Sequence, residues 1–394
     1  FIIAKVVAIY AGPTGIAMLG QLQSIIVSMA GLMNSAAGTG VVKFTAENHS
    51  MGIKACIFWW RASVYWIIIL CSIFIPLLLI FSPMMADKLL FNREYYWLIQ
   101  LSALLLPISA FGTLITSIIN GQQLFRRYVI LGIISVIISS VVMICMIVHN
   151  NLIGALLAAS CQNGIIGLVM LIGSVKQPWF ILSNFFGKVE RVYKNDIGKF
   201  ILMSATAALT TPVAMIIIRN ILVENVGWVE AGYWQSVWKI SEAYLAIITM
   251  ALSTYYLPQL AKTKTLEEVQ KNIIETLKLM LPTVIVLALI VYFLRDVIIL
   301  ILFTKEFNVI RDLFAVQLIG DVFKILGWIY AFPMIAKGAM KWYLSTEIIF
   351  SLIFVFLGWL FINKYGVHGA NYAYLLNYIL YSLVVFSNVK RFAK

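Results

Sequence analysis

The sequence predicts an all-α integral membrane protein of about twelve transmembrane helices, the first of them truncated, in two six-helix lobes. Three observations carry this prediction. Hydrophobic residues fill 62% of the 394 positions and charged residues only 11%, whereas a soluble domain carries roughly 25% charged residues. The mean hydropathy is +0.97, and apolar runs of the roughly 20 residues needed to cross a bilayer recur along the whole chain. Lys and Arg gather in alternate loops, as topology demands. A soluble enzyme, a nucleic-acid reader and a secreted disulfide scaffold are excluded, because this chain has too little polar surface to show water.

Taken in order, the expected spans are 1–11, 15–42, 57–82, 96–120, 128–148, 152–174, 198–223, 230–256, 273–294, 308–335, 342–362 and 367–388. The first opens inside an apolar stretch and breaks at Gly12-Pro13, so it is too short to span and its beginning is expected to be missing. The runs are too long and too evenly apolar for barrel strands, which are about 10 residues of alternating polarity. No signal peptide is visible. Four cysteines (Cys56, Cys71, Cys145, Cys161) fall singly and read as inert packed thiols. Three histidines (His49, His149, His368) lie far apart, so neither a metal site nor a cofactor is expected. With no phosphate-cradling P-loop, ATP hydrolysis by this chain is not expected either.

The net charge is +13, from 29 Lys+Arg against 16 Asp+Glu. Nineteen cations, from Lys43 to Lys394, fall on one side of the predicted topology and six on the other. This asymmetry puts both termini in the cytoplasm. The basic segment 176–197 divides the chain into an N-terminal lobe, 1–175, and a C-terminal lobe, 198–394. Four cations remain: Lys5, Arg219, Lys239 and Lys324.

The halves read as repeats. Phe91-Asn-Arg-Glu-Tyr95 and Phe303-Thr-Lys-Glu-Phe307 share a pattern 212 residues apart. Gly121 and Tyr128 face Gly338 and Tyr343 at offsets of 217 and 215. Span two carries Gln21, Ser24, Ser28, Gly31, Ser35 and Gly38 at helical steps, and span eight carries Gln235, Lys239, Glu242, Ala246, Thr249 and Ser253 at the same steps, with three pairs 214 apart. Six spans is an even number, so the repeats are parallel, related by a pseudo-twofold axis along the membrane normal.

Charges inside spans are the informative residues, since each costs roughly 2.5–3.5 kcal/mol at mid-bilayer and must face a partner or water. Lys239 and Glu242 are three apart in span eight. Asp321 and Lys324 are three apart in span ten, with Gln317 one turn earlier and Trp328 one turn later. Two readings stand: intrahelical ion pairs that stitch a bundle, or faces lining a polar central cavity. Gln21, Ser28, Gln235, Thr249 and Gln317 would then be polar lining, and Glu242 and Asp321 the carboxylates for ion coupling. Arg219 either snorkels to the outer interface or grips an anion, since guanidinium matches phosphate oxygens bidentately. Lys43 either follows the positive-inside bias or does the same work, and Lys5 shares that ambiguity. Arg61 reads as an interface anchor. Pro76, Pro107, Pro212, Pro282 and Pro333 are hinges or ordinary membrane-helix kinks.

Four stretches carry a family resemblance. They are Gly12-Pro-Thr-Gly-Ile-Ala-Met-Leu-Gly-Gln-Leu-Gln23, Thr211-Pro-Val-Ala through Leu222, Gly232-Tyr-Trp-Gln-Ser-Val-Trp-Lys-Ile-Ser-Glu through Leu245, and Arg311-Asp-Leu-Phe-Ala-Val-Gln-Leu-Ile-Gly-Asp-Val-Phe-Lys324 on to Lys337. The chain resembles the Wzx-type polysaccharide flippases, of the multidrug/oligosaccharidyl-lipid/polysaccharide exporter superfamily, along essentially its whole length. The resemblance implies two six-helix lobes around a central cavity. It implies transfer of an undecaprenyl-diphosphate-linked oligosaccharide, an O-antigen or enterobacterial common antigen unit, across the bacterial inner membrane. The diphosphate role falls on Arg219 and then on Lys43, Lys239 and Lys324. Membrane lipids are further partners, as are other membrane proteins of polysaccharide assembly. Two alternatives are weighed. A multidrug or cation antiporter of the same superfamily expects an acidic cavity, against which stand four intramembrane cations and two carboxylates. A membrane polymerase or ligase expects a large outer loop, and the outer loops here are short.

Overall fold

The structure, a computed structural model, describes residues 2–392. Phe1 and Lys394, used above for the chain start and the inner-side cations, lie outside the described residues. The helices are α1 (Ile2–Asn34), α2 (Thr39–Asn48), α3 (Ile53–Leu90), α4 (Tyr96–Gly121), α5 (Phe125–Ser174), α6 (Leu182–Phe185), α7 (Arg191–Ala251), α8 (Leu257–Lys262), α9 (Leu266–Phe293), α10 (Arg295–Leu302), α11 (Phe314–Ala336), α12 (Met340–Tyr365) and α13 (Val367–Phe392). No strand occurs among the described residues. Among the described residues, nine helical stretches are long and apolar enough to cross a membrane. The chain is a multi-pass, all-helical membrane protein.

Nine stretches rather than twelve separate spans follow from how neighbouring spans join. Where spans 1–11 and 15–42 were expected to part, α1 runs on through Gly12 at φ 62°, ψ −165°. Spans 128–148 and 152–174 meet in α5 at Asn150 and Asn151, the latter at φ 49°. Spans 198–223 and 230–256 meet in α7 at Gly227, φ 85°. Each break is one or two residues outside helical φ/ψ, too short for a loop. Positive φ is open to glycine and tolerated by asparagine. Span two also differs from expectation. α1 ends at Asn34, and the Ser35-Ala-Ala-Gly38 turn, where Ser63 Oγ donates to the Ala36 carbonyl at 2.7 Å, separates it from α2.

These backbone breaks recur at a fixed spacing. Gly12 and Gly227, Gln123 and Gly338, and Asn151 and Gly366 all have positive φ. Each pair is 215 residues apart (227 − 12, 338 − 123, 366 − 151).

The chain forms two compact units. One is Met18–Ile216; the other joins the described part of Phe1–Ala17 to that of Ile217–Lys394. In the first, Trp60 is fully buried, donates through Nε1 to Thr45 Oγ1 at 2.9 Å, and packs with Trp179 and Phe185. Arg61 Nη2 donates to the Ser183 carbonyl at 2.6 Å, so the residue expected as an interface anchor pins the segment after α5. The helix α7 then starts at Arg191, inside the expected 176–197 connection. In the second unit α11 and α13 pack closely. At Gly320 a Cβ would sit 2.5 Å from the Tyr374 ring, so only glycine lets that ring lie against α11. Lys5 donates to the carbonyls of Leu300 and Phe303, satisfying the exposed C-terminal end of α10.

Candidate functional site

The charged residues inside the spans converge within the second unit. The part of α7 after Gly227 contributes Gln235, Trp238, Lys239, Glu242 and Tyr244. The first three polar positions recur at steps of four and three, which sets them on one helical face. α11 contributes Gln317, Asp321, Lys324 and Trp328, and α13 contributes Tyr374 and Tyr378.

Arg219 lies before the Gly227 break and is 1% exposed. Its Nη2 and Nε both donate to Gln235 Oε1, at 2.6 and 3.2 Å. The guanidinium is therefore turned toward α7's other arm and not extended to the surface. Glu242 acts electrostatically on both Arg219 and Lys239. Glu242 itself is exposed and accepts from Trp238 Nε1 at 2.7 Å.

Asp321 is fully buried and held by hydroxyls. Tyr244 OH donates to Oδ2 at 2.6 Å, and Tyr374 OH donates to Oδ1 at 2.7 Å. Gln317 Nε2 adds a longer contact of 3.4 Å to Oδ1, while its own Oε1 is buried with no partner. Hydrogen bonds to a charged group contribute about 1.5–3 kcal/mol each, so the tyrosines offset much of the cost of burying the carboxylate.

Lys324 does not close an ion pair with Asp321. Ion pairs among the described residues include Lys43–Glu47, Lys199–Asp196 and Arg311–Asp296. The expected intrahelical pairs Lys239–Glu242 and Asp321–Lys324 are not among them. The Lys324 ammonium sits over four rings: Trp328 at 5.0 Å, Trp238 at 5.4 Å, Tyr378 at 5.4 Å and Tyr374 at 5.8 Å from the centroids. A desolvated cation–π contact contributes about 2 kcal/mol. Asp321, Glu242 and Glu347 of α12 supply negative potential at Lys324.

The remaining candidates are quieter. Thr249 donates to the Leu245 carbonyl at 2.6 Å. In the first unit Gln21 is fully buried, with Nε2 donating to the Leu89 carbonyl at 3.1 Å and to that of Ile216 at 3.4 Å. Ser28 donates to Ser24 O at 2.8 Å. Lys43 is exposed, 3.9 Å from Glu47, with its ammonium 5.4 and 5.5 Å from the Phe44 and Phe200 rings.

Sequence reasoning missed Tyr244, Tyr374, Trp238, Tyr378 and Glu347. Aromatic residues make up 13% of the chain, so composition alone could not single out these rings. Helical phase could have done so in part: Trp238 is four before Glu242, Asp321 is four after Gln317, and Tyr374 and Tyr378 are four apart.

No family model matches the chain. It is 28% identical over 349 residues to the lipid III flippase of Escherichia coli (strain K12), covering 88% of this chain and 83% of the relative. The lipid III flippase of Shigella flexneri matches to the same extent. Among solved structures, an inward-facing multidrug resistance MATE family transporter of the MOP superfamily superposes with a TM-score of 0.82, at 14% identity, over 99% of this chain and 94% of that one. The resemblance read from the motifs is thereby borne out in sequence, and the fold is that of the MATE transporter on which the chain superposes. These relatives are flippases and a transporter, not enzymes.

Proposed function

We propose that the chain is a flippase for an undecaprenyl-diphosphate-linked oligosaccharide, carrying it from the cytoplasmic to the periplasmic leaflet of a bacterial inner membrane. The observation that carries this reading is the set of cations inside the spans: Arg219, Lys239 and Lys324 gather in one unit, while the Asp321 carboxylate there is already engaged by two tyrosines. Fixed guanidinium and ammonium groups suit a diphosphate. The similarity to lipid III flippases supports the same class. The sugar unit is of the O-antigen or enterobacterial common antigen kind.

In this reading the breaks at Gly12, Asn151 and Gly227 divide the nine helical stretches into twelve passes with both termini cytoplasmic. The halves 1–175 and 198–394, linked by 176–197, are parallel repeats, a reading supported by the recurring 215-residue spacing. The repeats rock about a central cavity by alternating access. Arg219 grips the diphosphate with Lys239, Lys324 and Lys43, and Gln21, Ser28, Gln235, Thr249 and Gln317 pass the sugars. Glu242 and Asp321 couple the cycle to an ion gradient or the membrane potential. Other membrane proteins of polysaccharide assembly are the expected partners.

Complementation tests this function. A strain lacking its lipid III flippase, or an O-antigen flippase, is supplied with this chain, and surface polysaccharide is measured. Restored polysaccharide supports the proposal; a well-expressed chain that restores neither defeats it. A multidrug or cation antiporter is the second reading, favoured by the MATE fold. Export of cationic dyes by the same cells separates the two.

A further inference from the structure

The four rings around Lys324 make a more complete site than positioning one lysine requires. The walls brace one another. The Trp238 and Tyr374 rings meet edge-to-face at 5.1 Å, and Tyr374 meets Tyr378 at 4.8 Å. Phe354 stacks on Trp238 at 6.5 Å and meets Tyr374 edge-to-face at 6.3 Å. Two walls are also fixed at their polar tips. Trp238 Nε1 is bound to Glu242, and the Tyr374 hydroxyl to Asp321, so neither ring turns freely about its side-chain bonds. The π-faces are thus held toward one point, and three carboxylates (Asp321, Glu242 and Glu347) set a negative potential there without closing an ion pair. Rings arranged around a point in this way recognise organic ammonium ions. Lys324 is half-buried, as are Trp328 and Tyr378, so the enclosure has an open side.

We infer that Trp238, Trp328, Tyr374 and Tyr378 form a binding site for a primary alkylammonium ion that the chain fills with its own Lys324. The lysine is a specificity determinant: a tethered occupant that closes an otherwise competent cation site to free organic cations. This inference rests on the site assigned above to the flippase, but not on the identity of the lipid substrate. It also accounts for how a fold shared with a multidrug transporter could carry an aromatic, acid-flanked pocket and still serve an anion.

The test uses the purified full chain in detergent. Lys324→Ala removes the equivalent of n-propylammonium from the enclosure, so that ion is the probe, and n-propanol is its uncharged control. Binding is read by calorimetry and by tryptophan fluorescence. The expected result is saturable n-propylammonium binding to Lys324→Ala at least tenfold tighter than to the unmodified chain, no response to n-propanol, and loss of the gain when Trp328→Ala is added. A folded Lys324→Ala chain that binds no better than the unmodified protein overturns the inference. Where the variant is recovered only in an unstable form, n-propylammonium should raise its melting temperature by several degrees and n-propanol should not; equal shifts, or none, overturn it as well. Complementation with the unmodified chain reports separately on the flippase reading, so either proposal can fail while the other stands.

Discussion

The two compact units solve the problem of polar groups in lipid differently. The second, which holds Ile217 onward, buries Arg219 and Asp321 outright and half-buries Lys239 and Lys324. The first, Met18–Ile216, uses amides and hydroxyls bonded to backbone carbonyls: Gln21 to those of Leu89 and Ile216, and Ser24 and Ser28 to those four residues before them. The 215-residue spacing sharpens the contrast. It sets Asp321 against Leu106, Lys324 against Ser109, Lys239 against Ser24, Gln235 against Gly20 and Tyr374 against Ala159. This register is one residue off the 214 spacing of the polar stripes. The backbone pattern is shared, while Lys239, Asp321 and Lys324 stand against uncharged residues. A buried charge costs several kcal/mol unless it is bonded. Such a cost is sustained where charge is used, so the second unit is where function should be most sensitive.

The largest expected effect is therefore Arg219→Glu. It places a carboxylate in a fully buried position bonded to Gln235 and within the field of Glu242. Surface polysaccharide in the complemented strain should fall to the level of the empty strain, with the protein still in the membrane by immunoblot. Arg219→Lys should retain part of the activity, because the charge stays and only the two-pronged bond is lost. Full complementation by Arg219→Glu would remove Arg219 from the proposed site. Next comes Asp321→Ala, which leaves the Tyr244 and Tyr374 hydroxyls buried without their acceptor and takes a countercharge from Lys324. Breaking a buried, bonded charge costs about 3–5 kcal/mol, read as a lower melting temperature of the purified chain. Tyr244→Phe removes one bond to that carboxylate and should cost about 1.5–3 kcal/mol. If Tyr244→Phe cost as much as Asp321→Ala, the carboxylate would not be the centre of the network.

The membrane class, the order of spans and the residues worth watching could be read from the sequence, because hydropathy and isolated charges are strong signals in so apolar a chain. Gly12-Pro13 marked a break that the structure keeps at Gly12. The partners of the charges were not legible. A spacing of three allowed Asp321–Lys324 and Lys239–Glu242 pairs as one of two readings, yet Asp321 is satisfied from Tyr244 and Tyr374, 77 and 53 residues away. Helical phase says which residues share a face of one helix, not which neighbouring helix supplies a hydroxyl or a ring. The break at Asn150-Asn151 was expected as a gap between spans for a similar reason. Polar residues between apolar runs mark a change of direction, but not whether a loop or a single left-handed residue makes it.

The smallest effects belong to the first unit and test the comparison from the other side. Gln21→Ala removes the amide that donates to the Leu89 and Ile216 carbonyls, and should cost about 1 kcal/mol, the net contribution of an ordinary hydrogen bond. Ser28→Ala loses only a bond to Ser24 O within its own helix, a bond that competes with helix geometry, and should change stability by less than about 0.5 kcal/mol. Lys43→Ala breaks an exposed pair with Glu47, worth roughly 0.3–0.5 kcal/mol between helical neighbours. The melting temperature should fall most for Gln21→Ala and little for Ser28→Ala or Lys43→Ala, while complementation by each variant reports on its proposed contact with the substrate. For Lys43 the two readouts separate stability from role. A stability loss this small, together with a severe loss of surface polysaccharide, would support Lys43 as a diphosphate ligand; full complementation would remove it from the proposed site.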